Sequence, residues 1–454
     1  MGQFVLRPRV IAAAVLFAGF LASAIVNWPG HLEFDGVMQL LEGRTGLYSN
    51  WHPPIMSWLL GLSDALTHGA GLFVLFDTAM AFGAMLAILW LAPKPGWLAA
   101  AAAVVVIALP QLFLFQAIVW KDLLFADACV AGFVCLAQAA VRWEQPRARF
   151  AWLGGGVLFV TLAVLARQNG FVILPCAALA LGLAAPRHRP ATAAAFFVAC
   201  IGLALGANAL LQLRATDALG ATEQFEDLEL YDIAGMMKRD PSVSLPILDK
   251  EAPALARIMH AKGPALYTPA GHDALSDESG MGEFIIPALD AVKRQWRALV
   301  WAHPLDYVAV RSADFAWLFT STHPDECMTY IAGVDGPDEQ MHQLGLVKRF
   351  DDRDTFLDDN YAGPLIETPA LSHPFFAVVG LVCLILLLRR RRPADLAMAG
   401  LLVSTMLYTA SYFVIALACE YRYLFVIDLS TIAAAFYLAM DILRTRAQQR
   451  TQAQ

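Results

Sequence analysis

Charge is scarce in this chain. Of 454 residues, 16% are Asp, Glu, Lys or Arg and 58% are hydrophobic. Soluble domains run at about 25% charged and about 45–50% apolar. That imbalance excludes an ordinary soluble fold and predicts an all-α polytopic membrane protein. The formal net charge of -7 gives no basic surface for nucleic acid. No CxxC pair occurs among Cys129, Cys135, Cys176, Cys200, Cys327, Cys383 and Cys419, so neither a zinc ribbon nor a redox motif is signalled. Most of these cysteines lie in apolar runs, where cysteine behaves as a small buried hydrophobe. GxxxxGK[ST], HExxH and GxSxG are all missing, which removes P-loop, zincin and α/β-hydrolase chemistry. There is no internal repeat and no low-complexity tract.

What the chain has in abundance is long hydrophobic runs. Ten are read as spans: 10–28, 70–92, 97–117, 123–141, 150–166, 170–185, 191–212, 374–388, 394–418 and 424–441. A bilayer crossing takes about 20 residues, and the first run is read as an uncleaved span rather than a signal peptide. With the N-terminus cytoplasmic, six loops fall inside: Met1–Arg9, "APKPG", "RWEQPRARF", "PRHRP", "RRRRP" and "RTRAQQR". Each carries Lys or Arg, as the positive-inside rule requires. The segment Pro54–Thr67 carries Ser57, Ser63 and Asp64 and reads as a helix lying at the outer interface. Counting it as a span would place two of the basic loops outside.

Three parts follow. Residues 1–212 form an N-terminal membrane module whose first outer loop is 29–69. Residues 213–373 form a domain-sized extracytoplasmic region, mixed or mostly helical. Helices are expected around Pro253–His260 and Pro287–Ala302, with an amphipathic one in "AHPLDYVAVRSADFAWLF". Only Cys327 lies in this region, so no internal disulfide staples it. Residues 374–454 supply the last spans and a cytoplasmic tail.

The polar residues of interest gather at the outer ends of spans. The first outer loop has Glu33, Asp35 and Gln39, and ends in Trp51, His52 and Pro53. "VWKDLLFAD" brings Lys121 and Asp122, "ARQNG" brings Arg167 and Asn169, and "CEYRYLF" brings Glu420, Arg422 and Tyr423. Charge at membrane depth costs roughly 2.5–3.5 kcal/mol each at a helix centre. Any one of these residues has a plain anchoring explanation. Lys and Arg anchors should favour the cytoplasmic side, so the set as a whole points to function. A carboxylate serves as base towards an acceptor hydroxyl. Arg and Lys hold a phosphate and stabilise the charge it gains on leaving.

The chain resembles the GT-C membrane glycosyltransferases, over about two-thirds of its length. Glu33-Phe34-Asp35 resembles that fold's acidic first-loop signature. His52-Pro53-Pro54 resembles the HPP that starts an interfacial helix in protein O-mannosyltransferases and lipid A aminoarabinose transferases. Lys121-Asp122 falls where those enzymes carry an acidic residue in the second outer loop, and Arg167 and Arg422 are similar to their phosphate contacts. The resemblance departs where Asp35 is followed by Gly36 rather than a second acid, and it leaves 213–373 unmatched. It implies an inverting transfer of a hexose or pentose from a polyprenyl-phosphate donor to a hydroxyl on an envelope glycan, glycolipid or protein. Asp35 and Glu33 would be catalytic; His52, Lys121, Asp122, Arg167, Asn169, Arg422, Tyr423 and Gln39 would bind substrate or phosphate. A divalent cation, Mg or Mn, is a possible cofactor at Glu33 and Asp35, although two carboxylates are a poor metal signature and no metal is assigned. The expected setting is a bacterial inner membrane with both termini cytoplasmic. The rival readings are a flippase for an anionic lipid-linked substrate and a non-enzymatic envelope assembly protein.

Overall fold

A computed structural model describes residues 7–92, 95–216, 220–320 and 325–440. The first six residues, Pro93, Lys94 and the tail from 441 lie outside the described residues, and with them parts of two basic loops and the whole of "RTRAQQR". The protein is an all-α polytopic membrane protein, and among the described residues extended backbone pairs only in isolated bridges.

The N-terminal helices are α1 (Pro8–Val26), α2 (Phe34–Thr45), α3 (Pro54–Thr67), α4 (Gly71–Ile88), α5 (Trp97–Ala108), α6 (Pro110–Phe113), α7 (Lys121–Val141), α8 (Pro146–Ala166), α9 (Ile173–Ala184) and α10 (Arg189–Gln212). A proline in the first turn opens α1, α3, α8 and α10. Its missing N–H costs nothing there, and its fixed φ suits the first turn. Among the described residues eight helices are long and apolar enough to cross a membrane, or nine if a bent pair counts as one. The expected span 170–185 corresponds to the shorter apolar helix Gln168–Ala184, which is below that length. The run 150–166 extends to a helix of 21 residues.

The expected third span is not straight. Trp97–Ala108 and Pro110–Ala117 meet at 72°. Pro110 cannot donate to the preceding turn and holds Leu109 extended. Carbonyls left without helical partners need donors from elsewhere. Ser23 and Asn27 of α1 both donate to the Phe113 carbonyl, each at 2.8 Å.

Helix α7 is the axis of the bundle. Its apolar window is 94% buried, against 22% for α1, α8 and α10. Its first turn, Lys121-Asp122, is therefore enclosed by protein rather than lipid. Helices α2 and α3 cross almost backbone to backbone. A Cβ on Gly43 would fall 2.3 Å from the Ser57 carbonyl oxygen, and one on Gly61 2.4 Å from that of Gly43. A two-point ion pair from Arg44 to Asp64, 2.7 Å at each end, locks the crossing.

The long polar region has its own core. It is built on α11 (Gly220–Arg239), α12 (Pro253–Leu266), α13 (Leu289–Ala302) and α14 (Pro304–Thr320). Tyr231, Met236, Met259 and Val292 are wholly buried in it. Helix α14 covers the "AHPLDYVAVRSADFAWLF" stretch, but its Arg311 is enclosed between Asp232 and Asp314 and donates to the Ala416 carbonyl at 2.7 Å. Residues 325–371 fold back onto the main core through Leu357, Ala362 and Leu371. The chain ends in α15 (His373–Arg390), α16 (Pro393–Ile415) and α17 (Phe425–Ala439). Cys327 is bonded to Cys419, so the polar region is stapled, but to the α16–α17 junction. The apolar flank of Cys419 concealed this from a reading of the cysteines as buried hydrophobes.

Candidate active site

The residues singled out in the sequence meet at one end of the bundle. His31 and Leu32 lie extended between two segments, with His31 N donating to the Ala117 carbonyl at 2.9 Å and Leu32 N to that of Gly333 at 3.0 Å. This pairing delivers Glu33 to the N-terminus of α2. Glu33 caps that helix, one carboxylate oxygen accepting the Asp35 N–H at 2.9 Å. Its other oxygen accepts from Trp120 Nε1 at 3.0 Å and from Arg422 at 3.2 Å. Asp35 faces Arg422 at 2.9 Å and His52 Nε2 at 3.4 Å.

Lys121 and Asp122 do not pair with each other. Consecutive helical residues point about 100° apart, so each meets a different neighbour. Lys121 Nζ contacts His52 Nδ1, while Asp122 pairs with Arg167 at 2.9 Å. Because the Lys121 ammonium donates to Nδ1, Nε2 is the nitrogen that carries hydrogen towards Asp35. Arg167 also donates to the Tyr412 hydroxyl at 2.6 Å, and Asn169 donates to Ser411 at 3.1 Å. Tyr423 lies beneath both guanidinium groups, 5.5 Å from Arg167 and 5.4 Å from Arg422. Gln39 is buried on α2 one turn beyond Asp35, and its Nε2 has no partner among the described residues.

Arg422 is the hub. It touches Glu33, Asp35 and Glu420 and lies over the Trp120 ring at 5.2 Å, although only 7% of its side chain is exposed. Burial raises the Glu33 carboxyl to about 6, against the opposing pull of Arg422. Burial acts on Asp35 in the same direction. There the hydrogen bond from His52 and the charge of Arg422 overcome it and hold the carboxyl far below the usual range. Burial, followed by the Lys121 charge, lowers His52 to about 4, so its ring is neutral near pH 7.

Sequence reading missed what fixes Arg422. His373, at the start of α15, bonds Asp428 at 3.0 Å and the Tyr421 carbonyl at 3.1 Å. The Tyr421 hydroxyl donates to the other Asp428 oxygen at 2.5 Å. The turn carrying Arg422 is thus gripped on its backbone and on the neighbouring side chain. The available signal was Asp428 inside an apolar run, since ionisable residues in spans are functional candidates by default. Trp120 was also passed over.

The fold and the site thus define an integral membrane protein with a charged cluster buried at one end of its helices. No family model matches the sequence, and no curated protein matches it. Among solved structures the chain is similar to the archaeal oligosaccharyltransferase AglB from Archaeoglobus fulgidus, solved in complex with an inhibitory peptide and a dolichol-phosphate. The identity is 14%, the TM-score 0.40, and the match covers 97% of this chain. The chain spans about half, 51%, of the length of that structure.

Proposed function

We propose that the protein is a GT-C-type glycosyltransferase that moves a sugar from a polyprenyl-phosphate donor to a hydroxyl acceptor at the extracytoplasmic face. The observation that carries this reading is the constellation of buried Arg422 and Lys121 with half-buried Glu33 and Asp35, drawn from three distant parts of the chain. Cations at membrane depth suit the phosphate of a lipid donor. Adjacent carboxylates suit activation of a hydroxyl. The orientation is supported by the Cys327–Cys419 bond beside the cluster, since disulfides persist in oxidising compartments. Basic loops at the opposite helix ends point the same way and suit a bacterial inner membrane with cytoplasmic termini. The acceptor class is a lipid-linked glycan, a glycolipid or a protein.

Donor phosphate would bind beside Arg422 and Lys121, with Arg167 behind them. The acceptor oxygen bonds to the anomeric carbon as the bond from that carbon to the phosphate oxygen breaks, so the configuration inverts. The electron pair leaves with polyprenyl phosphate, and the acceptor proton passes to Asp35. With Arg422 in contact, Asp35 holds a proton poorly. Phosphate competing for the guanidinium loosens that contact and restores basicity as the reaction proceeds. Glu33 anchors Arg422 and Trp120; Gln39, Asn169 and Tyr423 shape the sugar and phosphate sites. A divalent cation at Glu33 and Asp35 would have to displace Arg422 from both. Activity that survives a chelator would place the charge stabilisation on the arginines and Lys121 alone.

A flippase is favoured by one observation: Asp77 and Asp127 are buried within α4 and α7, the latter about 9 Å beyond Lys121 along the helix. Purified full-length protein supplied with polyprenyl-phosphate sugars and candidate acceptors separates the two. Glycosidic product of inverted configuration, read by NMR, supports transfer. A retained configuration sinks the in-line scheme, and lipid translocation without product selects the flippase.

A further inference from the structure

At the opposite ends of the helices, away from the charged cluster, the bundle opens into a crevice of about 350 Å³. It lies where α7 ends, α9 ends, α10 begins and α15 turns into α16. Arg142, Trp143, Glu144, Arg189, Arg391 and Leu396 are among the residues that line it. The three arginines come from three separate turns. Their hydrogen bonds go to neutral groups close in sequence: Arg142 to Gln138, Arg189 to the Ala185 carbonyl at 3.1 Å, and Arg391 to the Leu388 carbonyl at 3.0 Å. Among the described residues none of the three forms an ion pair. The wall between them is mixed, with Val141, Leu183, Ala184 and Leu396 beside Glu144 and Gln145, and Trp143 carries the Arg149 guanidinium over its ring at 5.2 Å. Arg391 ends α15 with φ +54, a position that favours glycine, and so directs a long cationic side chain where the backbone would prefer none.

We infer that this crevice binds the phosphate of an anionic phospholipid from the leaflet on that side. Basic pockets between membrane helices take anionic headgroups, because a phosphodiester accepts several N–H donors while its acyl chains remain against the apolar helix surface. The aromatic Trp143 suits the headgroup level. The site is remote from the proposed transfer chemistry and does not rest on it.

The test uses full-length protein in neutral detergent, with thermal unfolding followed against added phosphatidylglycerol, phosphatidylcholine of the same acyl chains, and inorganic phosphate. Phosphatidylglycerol is expected to stabilise and phosphatidylcholine not. Each arginine removed, as Arg189→Gln and Arg391→Gln, is expected to weaken the phosphatidylglycerol midpoint about fivefold. Arg142→Gln is a third variant; Arg189→Gln and Arg391→Gln lie on other turns and still decide the matter if it fails to fold. Equal stabilisation by inorganic phosphate, lost in the same variants, would keep the phosphate site but make its ligand a soluble anion. Equal stabilisation by both lipids, or a phosphatidylglycerol effect untouched in Arg189→Gln/Arg391→Gln, overturns the inference.

Discussion

Arg422→Gln removes the cation that three carboxylates share. Glu33, Asp35 and Glu420 are 16%, 21% and 22% exposed at the side chain, so water screens them only in part. Breaking a buried pair by deleting one partner costs about 3–5 kcal/mol, and this partial exposure argues for the lower end. In a chain this long, about 3 kcal/mol corresponds to a fall of roughly 3 °C in the unfolding midpoint. The loss should depend on pH. Without Arg422 the Glu33 and Glu420 carboxyls, which burial already raises, rise further above their unfolded values, Glu33 already standing at about 6. A raised acid favours the folded state when protonated, so this contribution is present at low pH and is lost as pH rises through the folded value. The variant should therefore be most destabilised near pH 8 and recover towards wild type near pH 5. Arg422→Lys keeps the charge but cannot bridge two carboxylates with a planar fork, and should fall between. Thermal unfolding in detergent at several pH values provides the readout. A deficit of the same size at all pH values would refute the claim that Arg422 acts by neutralising these acids.

Other consequences are checked more simply. If ionised Glu33 is needed to hold Arg422 and Trp120, kcat/KM should decline below about pH 6, and Glu33→Gln should abolish that limb while lowering the plateau. Gly61→Ala places a methyl against the Gly43 backbone. It should cost about 1–3 kcal/mol by overpacking and reduce activity through the displaced α2, whereas Gly83→Ala, which meets nothing within 4 Å, should be silent. His373→Ala frees the Tyr421–Arg422 turn. It should raise KM for the phosphate-linked donor more than it lowers the unfolding midpoint, and a purely structural role would show the reverse balance.

Much of the fold was legible in the sequence because a span is a property of a single segment: its length and its lack of charge. The helix α3 was equally local, announced by Pro53-Pro54. The bend at Pro110 had its proline in plain view, but the surrounding apolar run read as one straight crossing. Pairing was harder, because it depends on contacts between distant segments. Lys121 beside Asp122 invites a local ion pair, yet helix geometry sends one to His52 and the other to Arg167. Cys327 finds Cys419 across 92 residues, and no spacing rule links them. The convergence of Glu33, Lys121 and Arg422 was inferred from the alternation of helix ends, whereas the grip of His373 and Asp428 on the Arg422 turn needed coordinates.

The central claim is that Asp35 takes part in transfer of a sugar. It is met most directly by mass spectrometry of glycolipids, glycans and glycoproteins from cells lacking the protein, complemented with wild type or with Asp35→Asn at matched membrane levels. The proposal predicts that wild type restores one sugar unit and that Asp35→Asn does not, the mass difference giving the transferred group. Full restoration of that unit by Asp35→Asn would show that Asp35 is not the base and that the chemistry lies elsewhere in the molecule.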